Sequence, residues 1–225
     1  MEILKRNSLK EGGFAGLKEH RMVKDPKVFS SKENNDSSWS GLDNFIFLAD
    51  ARYMPHGETR MHSHHELDII SVMVDGRIEH QGSLEHGKDL SGNDVQVQRA
   101  GGEGFSHNEI NPDASWNRMI QLWVLPEVAG QVADYKVYKP ATGGLTRIYG
   151  GENNSSTDFP AKTKIDVAVL DNGQQIEVDE PFLAYITRGK GIANNKPVED
   201  GDLIRGSSIK FKAEDNVQLI VVHAE

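Results

Sequence analysis

Short apolar runs alternate along the chain with tight clusters of Gly, Asn, Asp and Pro, and no long segment repeats apolar residues at three- and four-residue steps. The runs "NFIFLADARYM", "LDIISVMVDGRIEHQG", "DVQVQRA", "RMIQLWVLP", "KIDVAVLD", "QQIEVD", "FLAYITRGKGIAN", "SIKFKA" and "VQLIVVHA" are rich in β-branched or aromatic residues and bounded by turn formers. This pattern predicts an all-β protein of many short strands. The 22 glycines fit the frequent tight turns such a fold needs.

The order of these runs repeats. "MVDGRIEHQG" (73–82) has a counterpart in "ITRGKGIANN" (186–195), "SGNDVQV" (91–97) in "EDGDLIR" (199–205), and "IQLWVLPE" (120–127) in "VQLIVVHAE" (217–225). Each half reads as strand, Gly turn, strand, a second turn, strand and a closing apolar strand, which predicts two jelly-roll β-barrels in tandem, over residues 1–132 and 133–225. The Gly-, Pro-, Asn- and Ser-bearing segment 127–163 reads as the connection, with "LTRIYG" inside it as a candidate strand of the second half. The polar stretch 29–41 reads as a surface loop.

Charge and composition narrow the function. Lys plus Arg is 25 against 34 for Asp plus Glu, a formal net charge of −9, which argues against a polyanion-binding surface and against direct contact with nucleic acid. With no Cys, any metal must sit on imidazole and carboxylate. The opening "MEILKRNSLKEGG" lacks a leader-like apolar core and no later run is long enough to cross a bilayer, so a cytoplasmic protein without membrane association is expected.

Chemistry concentrates in "RMHSHHELDI". Side chains alternate along a strand, so His62 and His64 share one face while Ser63 and His65 take the other. In "GGEGFSHNEI", His107 and Glu109 have the same spacing, and the two pairs can meet across neighbouring strands. A lone His-x-His is more often a polar strand edge than a ligand pair; two such pairs make a mixed N/O donor set suited to iron, manganese, copper, nickel or zinc. Glu66 and Asp68 follow His64 at even spacing, which makes Asp68 the rival of Glu109 for the fourth position. His80 is a candidate to line the cavity behind the ligands, His86 lies beyond it, and His20, His56 and His223 are set aside as non-ligands. Ile70, Val72, Phe105, Ile120 and Leu122 are the candidate apolar lining.

"MHSHHELDIISVMVDGRIEHQGS" and "LSGNDVQVQRAGGEGFSHNEINPD" resemble the pirin family of bicupins, whose first cupin carries His-Pro-His, then Gly-Asp-Val-Gln, then Ala-Gly-x-Gly-x-x-His-x-Glu. "IQLWVLPE" is similar to the strand that closes that first cupin. The resemblance runs from about residue 54 to 127. It implies two tandem cupins, the first holding a metal on His62, His64, His107 and Glu109 and the second without ligands, since His223 is the only histidine there. It places Asp68 where pirins often carry a non-ligating Glu, among the surroundings of the site with His80 and Phe105. The chain departs from the family in having His65, Glu66 and Leu67 where Arg-Gly-Phe is usual, and Gln81 and Gly82 between His80 and Ser83.

The resemblance further implies a dioxygenase of quercetin 2,3-dioxygenase type, with Fe(II) the expected metal, a chelating aromatic substrate, and Glu109 as ligand and base in one. Two other readings follow from the same resemblance: a metal- or redox-sensing regulator that binds a protein partner, and another metal-dependent cupin enzyme such as an isomerase.

Overall fold

The structure, a computed structural model, describes residues 1–30, 37–84, 88–152 and 157–224. It is built from antiparallel strands, and the helical content of the described residues is one 3-10 turn at Arg6–Ser8. No helix among the described residues is long and apolar enough to cross a membrane. The chain divides into two compact units, Leu9–Lys139 and a second made of Met1–Ser8 with Pro140–Glu225.

In the first unit a seven-stranded sheet runs in the order Asp134–Tyr138, Val95–Arg99, Asp68–Asp75, Arg118–Val124, Phe45–Tyr53, Leu17–Lys24, Gly12–Phe14. A four-stranded sheet runs His62–His64, Phe105–Ile110, Arg77–Gly82, Lys88–Ser91. Met73 and Met119 of the larger sheet pack with Ile78 and Leu90 of the smaller, so the sheets close on a shared core.

The second unit repeats this plan. Its larger sheet runs Glu2–Lys5, Asp202–Gly206, Phe182–Arg188, Val217–His223, Ala161–Leu170, Gly144–Gly151, and its smaller one Gln175–Val178, Ile209–Ala213, Lys190–Ala193, Lys196–Glu199. The matching hairpins turn at Gly76 (φ 71) and Gly189 (φ 81). A Cβ there would lie 2.7 Å from the Asn117 side chain or 2.4 Å from the Asn216 carbonyl, so in both halves the turn presses on the residue before the closing strand and only Gly fits. The repeat visible in the sequence is therefore a repeat of topology.

The division between units differs from the expected 132/133. Asp134–Tyr138 pairs with Val95–Arg99 and completes the first unit's larger sheet, which carries the boundary to Lys139. The equivalent edge of the second unit is filled by Glu2–Lys5, paired with Asp202–Gly206. Edge strands bury little: Leu4 is the one buried residue of Glu2–Lys5 and Tyr138 that of Asp134–Tyr138, so neither shows a strong apolar alternation. Segment 127–163, expected as a connection, holds Asp134–Tyr138, the anticipated strand at "LTRIYG" within Gly144–Gly151, and the start of Ala161–Leu170. Of the loop expected at 29–41, residues 31–36 lie outside the described residues.

His223 lies between two carboxylates, with Nε2 2.7 Å from Asp166 and Nδ1 2.6 Å from Glu180. Arg147 donates to both Asp166 oxygens and Lys164 to both of Glu180. Burial opposes ionisation of both acids, but His223 with Arg147 or Lys164 outweighs it and holds both below their ordinary values of 3.8 and 4.5. Depressed carboxyl pKa values stabilise the fold above the unfolded-state values, and this contribution disappears as pH falls through the lowered ones. The thermal midpoint is expected to drop on acidification below about pH 4. In circular-dichroism melts, Asp166→Asn and Glu180→Gln should each flatten that acid dependence.

Candidate metal centre

The strand His62–His64 is only three residues long, and two residues in the left-handed region bracket it, Arg60 (φ 66) and Glu66 (φ 49). It pairs with Phe105–Ile110 in the register His62↔His107, Ser63↔Ser106, His64↔Phe105. Alternation then puts His62, His64 and His107 on one side, and their ligand atoms all lie within 4.8 Å of one another. His107 Nε2 is 3.1 Å from His62 Nε2 and 3.1 Å from His64 Nε2. Two nitrogens bound at right angles to one ion at about 2.1 Å would stand about 3.0 Å apart, so the observed spacing fits a shared ion.

The protonation of the rings points the same way. The Arg60 carbonyl, turned by that residue's left-handed backbone, accepts from His62 Nδ1 at 2.8 Å, which turns Nε2 toward the group. Burial, with His62 beside it, pushes His64 down to about 4. Burial and the neighbouring His62, His64 and His80 push His107 down to about 2. Neutral imidazole is the form that binds metal. His107 Nδ1 is buried with no hydrogen-bond partner, so this ring's polar engagement runs through Nε2 alone. Phe105 packs on it at 5.1 Å and His80 at 5.6 Å between ring centroids. The histidine group could bind a metal.

Glu109, two residues beyond His107 on the same strand, faces the same cavity but stands outside the converging nitrogens. It is fully buried; Tyr53 Oη donates to Oε2 and Ser71 Oγ to Oε1, each at 2.9 Å. Burial raises its pKa, and the bonds from Ser71 and Tyr53 with the field of His62 only partly offset this. Tyr53 is itself pushed well above the usual phenol range, by burial and then by Glu109.

The other candidates fall elsewhere. Between His64 and Asp68 the chain leaves the smaller sheet for the larger, so alternation does not carry across Glu66. Asp68 ends on the opposite face from Ser71, fully buried, with both oxygens taken by Arg99 at 3.0–3.3 Å. Glu66 accepts from the Gly130 N–H at 2.9 Å, and His65 Nε2 donates to the Gly102 carbonyl at 2.8 Å. His80 is buried behind His107, its Nε2 3.0 Å from the Leu84 carbonyl. Phe105 packs against His64 at 5.5 Å. His86 lies outside the described residues.

The cavity of about 200 Å³ that these groups face is walled by Phe29, Phe47 and Trp123. Phe47 and Trp123 stack at 4.3 Å, and Phe29 stacks on Phe47 at 5.5 Å. The expected lining of Ile70, Val72, Ile120 and Leu122 is corrected: Ser71 and Gln121 face the cavity, so their strand neighbours point the other way and are buried there. Tyr53, Ser71 and Trp123 are site residues that motif spacing did not identify, although the odd-numbered parity of Gln121 and Trp123 in "RMIQLWVLP" carries a trace of it.

In the second unit the pairs Ile176↔Phe211 and Val178↔Ile209 occupy the register positions of His62↔His107 and His64↔Phe105, with Ala213 where Glu109 would be. All five side chains belong to its buried apolar core. Among the described residues, the histidine group of the first unit is the one cluster of three or more His, Asp or Glu side chains that could hold a metal ion.

Two tandem double-sheet barrels, the first containing a cluster of imidazoles and the second apolar at the matching positions, define a bicupin. The chain belongs to the pirin family: the family profile described as Pirin matches residues 18–124, and a pirin-like protein of Caulobacter vibrioides is 33% identical over 205 residues, 84% of this chain and 86% of that protein. A Pseudomonas aeruginosa protein provisionally named a quercetin 2,3-dioxygenase is 38% identical over 174 residues, 72% of this chain and 75% of its own. In fold, the chain is similar to the crystal structure of the bacterial pirin YhhW of Escherichia coli in complex with nickel(II), with a TM-score of 0.81 at 16% identity, covering 99% of this chain and 98% of that one.

Asp68 separates a structural carboxylate from a ligand by experiment. Asp68→Asn takes the charged partner from a guanidinium that is 7% exposed, and should cost about 3 kcal/mol in chemical denaturation. Bound metal should be unchanged; loss of metal from a variant of intact stability would return Asp68 to the centre.

Proposed function

We propose that the first unit is a metal-dependent dioxygenase centre of quercetin 2,3-dioxygenase type, acting on a planar aromatic substrate with neighbouring oxygens. His62, His64 and His107 hold a divalent transition metal, proposed to be Fe(II), and Glu109 is the fourth donor and the base. The observation that carries this reading is the convergence of three imidazoles on one point in a cavity whose wall is stacked aromatic rings. The nickel(II) in the Escherichia coli pirin and the name of the Pseudomonas relative support it.

When bound, such an ion supplies Lewis acidity to a chelating oxygen pair and a route for electrons toward dioxygen. The chain's own residues do the rest. Trp123 and Phe47 offer a flat face for an aromatic ring. Glu109, buried at the cavity beside the histidines, is placed to accept the substrate's hydroxyl proton. The apolar wall limits water around that transfer.

Protein purified without a histidine tag and loaded with Fe(II) should consume oxygen when given a flavonol. His62→Ala and His107→Ala should each lower bound metal at least about tenfold and abolish uptake, read by elemental analysis and an oxygen electrode. Oxygen uptake surviving either substitution refutes the assignment, and metal-loaded protein that binds flavonol without consuming oxygen fits the metal-sensing alternative.

A further inference from the structure

Two register shifts recur at matching places in the two larger sheets and align them residue by residue. In the first unit Arg118 and Met119 stand opposite Asp75 and Met73, and Arg21 and Val23 opposite Ala49 and Leu48. In the second, Gln218 and Leu219 stand opposite Arg188 and Ile186, and Arg147 and Tyr149 opposite Asp166 and Ile165. Met119 pairs with Ala51 as Leu219 pairs with Ala168, so Arg21 and Ala49 take the places of Arg147 and Asp166. The arginine is common to both barrels; the acid facing it is not. Arg147 gives Nε and Nη2 to the two Asp166 oxygens at 2.7 and 3.1 Å, the two-pronged pairing that guanidinium and carboxylate favour. Arg21 has Ala49 across from it and donates Nε at 2.7 Å to Glu19, two residues away on its own strand.

Arg21 lines the first unit's cavity together with Glu19, Phe47 and Trp123, and among the described residues lining it Arg21 is the single Lys or Arg. The Glu19 side chain is 6% exposed and that of Arg21 44%, so the acid is enclosed while the cation reaches the mouth. Ala49 lies between Phe47 and Ala51, both cavity-lining, on one face of Phe45–Tyr53. A ring resting on Phe47 therefore has Arg21 beside it on the adjoining strand.

On the reading of this site as a metal centre for a planar aromatic substrate, we propose that Arg21 is a specificity-determining residue. It binds a carboxylate that the substrate carries at the end away from its metal-binding oxygens. That carboxylate takes the role Asp166 plays in the second barrel: with Ala at position 49, the guanidinium's outer donors are left to an acid that arrives with the ligand. Glu19, by holding Nε, fixes the plane in which those donors point. The substrate class is a hydroxylated aromatic carboxylate, and an uncharged ring system uses only the ion and the aromatic wall.

The test is calorimetric binding to the full chain loaded with zinc(II), a redox-silent ion that keeps turnover out of the measurement. Three catechol acids of increasing tether length serve as probes, protocatechuate, homoprotocatechuate and dihydrocaffeate, each compared with its own uncharged carboxamide. At least one acid should bind about fivefold more tightly than its amide, the gain of a charge-assisted hydrogen bond at a half-exposed site, and the preference should shrink as salt is raised. Arg21→Gln should bring acid and amide within about twofold of each other. Ala49→Asp, which restores the second barrel's acid, should do the same by occupying the guanidinium. If Ala49→Asp does not fold, Arg21→Gln at the exposed mouth carries the test. Acids binding no better than amides in all three pairs overturn the inference, as does a preference that survives Arg21→Gln or the folded Ala49→Asp. Failure of the metal centre itself reads differently, because the amides would then bind His107→Ala as well as the parent protein.

Discussion

The site depends on one antiparallel register, His62 opposite His107. A strand of three residues has little to hold its alignment by itself, and a slip of one residue would turn both His62 and His64 out of the cavity. The alignment is fixed at the ends. Arg60 and Glu66 both take left-handed backbone, and the Arg60 carbonyl receives His62 Nδ1 while the Glu66 carboxylate receives the Gly130 N–H. On the far side of Phe105–Ile110, Gly82 stands opposite His107, where a Cβ would come within 2.6 Å of the Ser106 carbonyl. Backbone strain is thus placed where it sets the direction of ligand nitrogens.

The comparison between the two units shows how little the fold itself requires of these positions. The same strand order supports three imidazoles and a carboxylate in one barrel, and Ile176, Val178, Phe211 and Ala213 in the other. Burying neutral rings with converging lone pairs costs stability that an apolar core does not. The apolar barrel shows the stable solution for this architecture, and the histidine barrel departs from it in favour of chemistry.

Much of this was legible in the chain. Strand runs such as "RMIQLWVLP" and "VQLIVVHA" stand out as short β-branched and apolar stretches between turn formers, and the spacing within His62–His64 and His107–Glu109 follows directly from the strand period. Asp68 was misread as facing the ligands because parity holds only within one strand, and a left-handed residue resets it. Tyr53 and Ser71 were invisible because they reach Glu109 from another sheet, a contact that no local pattern encodes. The edge strands Glu2–Lys5 and Asp134–Tyr138 escaped notice for want of burial.

The pairing of Glu2 with Arg205 and of Lys5 with Asp202 has a consequence for dissecting the molecule. The backbone passes from one unit to the other twice, after Ser8 and after Lys139, so Leu9–Lys139 is one continuous stretch while the other unit is assembled from two separate segments. A fragment beginning at Pro140 would leave the outer edge of Asp202–Gly206 bare, an open row of N–H and C=O groups ready to recruit strands from other molecules. Closing that edge in the intact chain joins residues some two hundred positions apart, a loop whose entropy cost favours late completion of the second sheet during folding.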